Sequence, residues 1–355
     1  MALSRIDRLR VVVREQGIEA ILIQKPENRT YFSGFRGSAG IAIVSLSNAQ
    51  LLVDFRYIDR AKEEARGFEV LKAERQLIET LATVVRERGW KRLGFESDTV
   101  TVKQHQEYVD RLAPVDLVAV DGVDRLRWVK EPEELERINA AVAIADAAFA
   151  HIQTHLRPGA VERDVATELA FFMRRRGAEE EAFDSIVASG PQSARPHAGA
   201  TDRAMNRGDL VTLDFGARVQ GYVSDCTRTV VLGPATPRQR QIYDLVLEAH
   251  QAALAGLKPG MTGREGDALA RIVITKAGFG EAFGHGLGHG VGLAVHEGPT
   301  LSPREDATLQ PGMVITVEPG IYLSGWGGVR IEDLAVITES GCQSLTKSPK
   351  ALCEL

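Results

Sequence analysis

In 284-GHGLGHGVGLAVHE-297, glycine fills every even position from Gly284 to Gly292. His285 and His289 stand between the glycines, and His296 follows a short apolar run. Imidazole changes charge nearest neutral pH and is the commonest metal ligand. Each glycine costs backbone entropy on folding, so the strict alternation needs a reason beyond flexibility. Four acids stand in apolar, strand-like runs of the same half of the chain. Asp214 and Asp225 lie in 209-DLVTLDFGARVQGYVSDCTRTVVL-232, Glu318 in 313-MVITVEPGIY-322 and Glu332 in 329-VRIEDLAVI-337. Aspartate is depleted in strands, and adjacent half-buried carboxylates repel unless something positive neutralises them. Arg218 or Arg228 could serve one such pair, but four acids call for a cation. A carboxylate-rich set with imidazole suits a hard or borderline divalent ion, Mn2+ first, with Co2+ or Zn2+ as alternatives. No His-Glu-x-x-His or thiolate zinc pattern occurs.

These residues must be brought together by strands. A hairpin centred between Val219 and Gln220 is expected to set Asp214 directly opposite Asp225, within reach across a strand pair. If the glycine-rich stretch is extended, its period of two puts His285, Leu287, His289 and Val291 on one face. The alternating glycines then clear the other face for close approach of another backbone. Asp333, next to Glu332, is expected to point the opposite way.

The chain around them has 355 residues, 44% hydrophobic and 26% charged, with a net charge of −5. The length predicts more than one domain. No basic stripe is present, which argues against nucleic acid as a partner. Three cysteines, Cys226, Cys342 and Cys353, form neither a disulfide framework nor a zinc pattern, and a reducing cytoplasmic location is expected. Cys226 reads as a buried small hydrophobe. The N-terminal segment is interrupted by Arg5, Asp7, Arg8 and Arg10, unlike a signal peptide. No apolar run is long enough to span a membrane.

Residues 1–125 alternate helical patterns (4–17, 57–66, 75–89) with short apolar runs (20–23, 41–44, 51–53, 92–95, 117–120), an α/β signature. A charged junction then opens a long helix at Pro132-Glu133-Glu134, running to about His155. Within 126–355, Leu156-Arg-Pro-Gly and Leu257-Lys-Pro-Gly lie 101 residues apart, and the same offset maps Arg163 onto Arg264 and Gly177 onto Gly278. After the first copy come His197, Asp214 and Asp225; after the second come His289, His296, Glu318 and Glu332. Two related αβ halves, each giving histidine and two acids to one place, is the economical reading.

At these residues the sequence resembles the pita-bread metallopeptidases, and within them the aminopeptidase P and prolidase (Xaa-Pro peptidase) branch. The resemblance covers the whole chain. It implies an α/β creatinase-like N-terminal domain (1–125) followed by an α+β pita-bread catalytic domain of duplicated αβ halves (126–355). It implies two divalent ions per subunit on Asp214, Asp225, His289, Glu318 and Glu332. The branch's Ser-Gly…Pro-His context matches 189-SGPQSARPH-197 at His197; its His-Gly-x-x-His…Val-His matches His285, His289 and His296; its arginine before the last glutamate matches Arg330. By resemblance Glu318 also shuttles a proton, His197 and His296 hold the scissile carbonyl and its oxyanion, and His285, Arg330 and Tyr322 line the proline side. Tyr322 and Arg330 could equally be structural, Arg330 pairing with Asp333 or a nearby acid. The N-terminal stretches 28-NRTYFSGFRGSAG-40 and 54-DFRYIDRA-61 look like this branch's accessory domain, departing at Arg36 and Phe55, where small residues are commoner. Arg36 is either a carboxylate reader or a solvated loop charge.

The expected partners are proline-containing peptides or dipeptides and a second copy of the chain as a homodimer. Aminopeptidase P is the first reading of function and prolidase the alternative. A methionine aminopeptidase lacks this N-terminal domain. A metal-free creatinase-like enzyme and a non-enzymatic binding module both conflict with the full set of five ligands.

Overall fold

The computed structural model describes residues 3–355. Two compact units divide it, the first ending at Arg127 and the second Trp128–Leu355.

The first unit is a six-stranded mixed sheet with helices: α1 (Arg5–Glu15), β1 (Ala20–Ile23), α2 (Pro26–Ser33), β2 (Ile41–Ser45), β3 (Ala49–Val53), α3 (Ile58–Glu64), β4 (Glu69–Lys72), α4 (Leu77–Arg88), β5 (Arg92–Glu96), α5 (Val102–Leu112) and β6 (Asp116–Val120). The strand order is β4-β3-β2-β1-β5-β6. β1 and β2, whose residues are all buried, read in sequence as the uninterrupted apolar runs a covered sheet requires. Three elements lie outside the sequence expectation. α2 begins with proline and lacks apolar periodicity, α5 buries only Tyr108 and Leu112, and β4 is a half-exposed edge strand. Arg36 is exposed on the loop after α2.

The second unit opens with α6 (Pro132–Ile152), whose first turn is closed by a Glu131/Glu134 capping box and proline at its start. There follow α7 (Glu162–Arg175), β7 (Glu180–Glu181), β8 (Ile186–Ser189), β9 (Leu210–Phe215), β10 (Ala217–Val219), β11 (Tyr222–Val223) and β12 (Cys226–Val231). The second stretch holds α8 (Pro237–Gly256), α9 (Gly263–Lys276), β13 (Gly288–Gly290), β14 (Glu297–Leu301), β15 (Val314–Val317), β16 (Gly320–Leu323), β17 (Gly327–Arg330), β18 (Asp333–Ile337), β19 (Cys342–Ser344) and β20 (Cys353–Glu354).

Its two principal sheets run β20-β12-β9-β8 and β14-β13-β15-β18-β19. The first packs on α6 and α7 through Phe149, Leu169, Met173, Val211, Leu213 and Phe215. The second packs on α8 and α9 through Ile242, Val246, Ile274, Ile315 and Val317. The repeat is real in the backbone. Leu156 and Leu257 are buried caps after α6 and α8. Gly159 and Gly260 share φ 87°, and Gly177 and Gly278 end α7 and α9 at φ 103° and 85°, the left-handed conformation that glycine adopts without a Cβ penalty.

The hairpin register differs from expectation. Gln220 (φ 49°) and Gly221 (φ 86°) form the turn, so Val219 pairs with Tyr222 and Asp214 lies opposite Thr227, not Asp225. Two consecutive left-handed residues make the two-residue turn whose twist suits a hairpin. Asp225 therefore sits just ahead of β12, displaced two residues along the strand from Asp214's partner. Among the described residues no helix is long and apolar enough to cross a membrane.

Candidate metal centre

The cores set the site by alternation. Val211, Leu213 and Phe215 of β9 enter the apolar core, so Thr212 and Asp214 face the other way. Glu318 directly follows β15, Glu332 directly precedes β18, and His289 lies in β13. The four acids and His289 line one cavity of about 700 Å3, together with His197, His285, His296 and Arg330.

Backbone anchors hold the two histidine-bearing loops. Buried Glu162, at the start of α7, accepts from the backbone N–H and hydroxyl of both Ser189 and Thr201, which bracket His197. On α9, Asp267 accepts from the Leu287 N–H, while Arg271 donates to the carbonyls of Phe283 and His285. Leu287 itself is in the apolar core. The expected single face of His285, Leu287, His289 and Val291 is therefore not formed: only His285 and His289 reach the cavity. Regular strand spans only 288–290, with an irregular register between His289 and Gly290.

The tautomers follow from the partners. His289 Nδ1 lies 3.1 Å from the Gly290 carbonyl, which can only accept, so Nδ1 carries the proton and Nε2 presents a lone pair. That Nε2 lies 3.4 Å from Glu318 Oε1 and 3.7 Å from Asp225 Oδ2. Donor atoms of Asp225, His289 and Glu332 fall within 4.8 Å of one another. His285 Nδ1 likewise faces the Gly286 carbonyl at 2.7 Å. Its Nε2 accepts from the Tyr322 hydroxyl at 2.9 Å, and that oxygen accepts from Arg330 Nη1 at 2.9 Å. Tyr322 thus stands behind His285 and Arg330 and is not among the cavity-lining residues.

Arg330 donates Nη2 to Asp214 Oδ2 at 2.7 Å and Nε to Thr227 at 3.0 Å. Its acid is Asp214, not Asp333. Asp333 faces away from the cavity, as its strand position requires, and pairs with buried Arg228 at 2.8 Å. Arg228 also donates to the Glu332 carbonyl at 2.5 Å and to the carbonyls of Ser348 and Pro349.

Burial, then repulsion from Glu332, Asp214 and Glu318, raises the Asp225 carboxyl well above its usual range. Burial and the neighbouring acids do the same to Glu332, and burial raises Glu318. Burial holds His289 on the neutral side. Asp214 Oδ1 is buried with no hydrogen-bond partner among the described residues. Four crowded carboxylates, one orphaned oxygen and one imidazole lone pair fit divalent cations and leave little else to neutralise them.

Residues 136–339 match Metallopeptidase family M24, and residues 5–129 match the Creatinase/Prolidase N-terminal domain. The chain belongs to metallopeptidase family M24. It is a hydrolase of pita-bread fold with a creatinase-type N-terminal domain, and the family implies divalent metal ions. The Xaa-Pro dipeptidase of Pyrococcus furiosus is 40% identical over 98% of this chain and 99% of its own. The structure of a Xaa-Pro dipeptidase from Bacillus anthracis matches with a TM-score of 0.97 at 45% identity, over 99% of each chain. That of an X-Pro aminopeptidase from Thermotoga maritima matches at 0.92 and 38%, over 99% of this chain and 100% of that one.

Two hydroxyls were not singled out from sequence. Thr227 donates to Glu332 Oε2 at 2.6 Å and Thr316 to Glu318 Oε1 at 3.2 Å. The signal was available: Thr227 stands two residues past Asp225 and Thr316 two before Glu318, on the same strand faces.

Proposed function

We propose that this M24 peptidase cleaves the bond between an N-terminal residue and proline, with Xaa-Pro dipeptides as its main substrates. One observation carries the reading: the His289 Nε2 lone pair lies among buried carboxylates in a cavity that His197, His285 and His296 also line. In this proposal Asp214, Asp225, His289, Glu318 and Glu332 hold two divalent ions, with Mn2+ preferred because oxygen donors outnumber nitrogen four to one. Such ions supply a nucleophile from water at neutral pH and polarise the scissile carbonyl.

The side chains do the rest. Glu318 takes the proton released by the attacking water and passes it to the proline nitrogen as the C–N bond breaks. That nitrogen carries no hydrogen in the substrate, so shape must select for it. His197 and His296 hold the scissile carbonyl as negative charge develops on its oxygen. Arg330 fixes Asp214, and Tyr322 fixes His285 in the tautomer it presents to the proline side.

Two relatives named Xaa-Pro dipeptidase support dipeptide substrates, which reverses the order expected from the sequence. Aminopeptidase P is the second reading, supported by the X-Pro aminopeptidase relative. Three free cysteines support a reducing cytoplasm. The homodimer rests on the family resemblance, and sedimentation velocity tests it. Product analysis with Ala-Pro and Ala-Pro-Ala tests the substrate. Release of Ala from the dipeptide alone supports the dipeptidase; release of Pro-Ala from the tripeptide replaces it with the aminopeptidase.

A further inference from the structure

A second cluster of metal-ligating side chains lies outside the cavity and shares no residue with it. His151 is in the last turn of α6, His155 ends the 3-10 turn that follows it (Gln153–His155), and Glu168 is on α7. One ligand atom from each falls within 4.8 Å of the others. The two rings are 4.7 Å apart, and His151 Nε2 donates to Glu168 Oε1 at 2.6 Å. We infer that His151, His155 and Glu168 form a separate Zn2+ site that clamps the end of α6 to α7.

The placement is built. Ile152, Leu169 and Met173 join the two helices in one buried core, so the backbone separation is fixed. Phe172 stacks on the His151 ring at 4.1 Å and 11°, restraining its rotation. The Thr154 hydroxyl donates to the His151 carbonyl at 3.0 Å. With its hydrogen so committed, it accepts from His155 Nδ1 at 3.2 Å. His155 Nδ1 therefore carries the proton, and Nε2 offers a lone pair, the arrangement found when an outer partner orients a ligating imidazole.

Bonds of about 2.0–2.2 Å at tetrahedral angles need donors roughly 3.3 Å apart, within reach of small side-chain rotations. On binding, the ion takes the His151 Nε2 position that now faces Glu168 and the ring's proton moves to Nδ1, so His151 remains a neutral ligand. Two imidazoles and one carboxylate suit Zn2+, whereas the carboxylate-rich cavity suits Mn2+. The half-exposed side chains (29% for His151, 33% for Glu168) leave room for water as a fourth ligand.

The test compares chelator-stripped wild type with the His151→Ala/His155→Ala double variant, both preloaded with excess Mn2+. Each is equilibrated with Zn2+, desalted, and its zinc counted by plasma emission. The expected result is one equivalent of Zn2+ fewer in the double variant, with Ala-Pro hydrolysis by the Mn2+-loaded proteins equal. Glu168→Gln, which keeps a hydrogen-bonding partner for His151, should weaken the extra zinc by about tenfold in a competition titration. Equal zinc in wild type and double variant would overturn the site and leave a plain His151–Glu168 hydrogen bond. Should the double variant not fold, unchanged zinc affinity in Glu168→Gln would overturn it as well.

Discussion

Arg330 holds only one oxygen of Asp214: Nη2 donates to Oδ2 at 2.7 Å, while Oδ1 is buried without a partner among the described residues. An arginine that spends its fork on an acid, a threonine, a tyrosine and the Pro196 carbonyl has little left for a substrate. Arg330→Lys keeps the charge but can satisfy only part of that set. Metal affinity should fall roughly 10- to 100-fold, as for other residues that orient ligands, with kcat falling alongside. Competition against a chromophoric chelator, read beside kcat and KM for Ala-Pro, checks this. A raised KM with unchanged metal affinity would instead make Arg330 a substrate reader.

Removing the cation and removing an acid should have opposite effects on stability. Burial, and then repulsion from three other carboxylates, raises the Asp225 carboxyl, so the chelated wild type carries uncompensated repulsion. Metal-free Asp225→Asn should therefore melt above metal-free wild type. Adding Mn2+ at about 100 times its Kd should stabilise wild type by about 2.7 kcal/mol, and should leave Asp225→Asn and His289→Ala unmoved. Both variants should lose activity with their metal. Full activity in either would remove that residue from the ligand set. Calorimetric melts with and without chelator, next to metal analysis, read all of this.

What was legible in the sequence divides along physical lines. The four acids could be named because an acid in an apolar strand is chemically out of place, His289 through the family resemblance, and the paired αβ halves because Leu-x-Pro-Gly and the terminal glycines repeat. The register between Asp214 and Thr227 could not be fixed, because it depends on Gln220 accepting a left-handed backbone, and glutamine gives no such signal. The placing of Leu287 and Val291 beside His285 and His289 was misjudged because a regular period assumes a regular strand, whereas strand spans only 288–290 and its pairing slips after His289. The sequence leaves the acid that takes Arg330 open between Asp333 and a nearby acid, and the structure gives Asp214. Asp333 is nearer in sequence but occupied by Arg228 from β12, a tertiary choice that spacing does not encode.

His250, which does not line the cavity, supplies a further pH dependence. It is fully buried, neither ring nitrogen has a hydrogen-bond partner among the described residues, and burial lowers its pKa to about 4 despite the pull of Asp333. An unfolded histidine titrates near 6.5. Between those values the unfolded chain binds a proton that the folded chain refuses, so stability is present above pH 6.5 and declines as pH falls towards 4. The full difference is on the order of 3 kcal/mol. Urea midpoints followed from pH 7 to 4.5 should fall more steeply for wild type than for His250→Leu as wild type loses this contribution. Parallel curves would show that His250 does not govern the acid limb.

The alternating glycines divide by what lies beside them, and the division can be measured. A Cβ on Gly288 would stand 2.1 Å from the Thr316 carbonyl oxygen, and one on Gly290 2.2 Å from that of Gly298. Backbone cannot yield as a flexible side chain does, so β13 would have to leave β15 and carry His289 away from Glu318. Gly284, in contrast, is exposed and has nothing within 4 Å of its Cβ position. Gly288→Ala should cost more than about 3 kcal/mol, the range of severe overpacking, and should lose metal even where the chain still folds. Gly284→Ala should change stability by less than about 1 kcal/mol and in the favourable direction, because it narrows only the unfolded ensemble. Equal tolerance at both positions would mean that the glycines serve flexibility, and the close approach of β13 to its neighbour would no longer explain them.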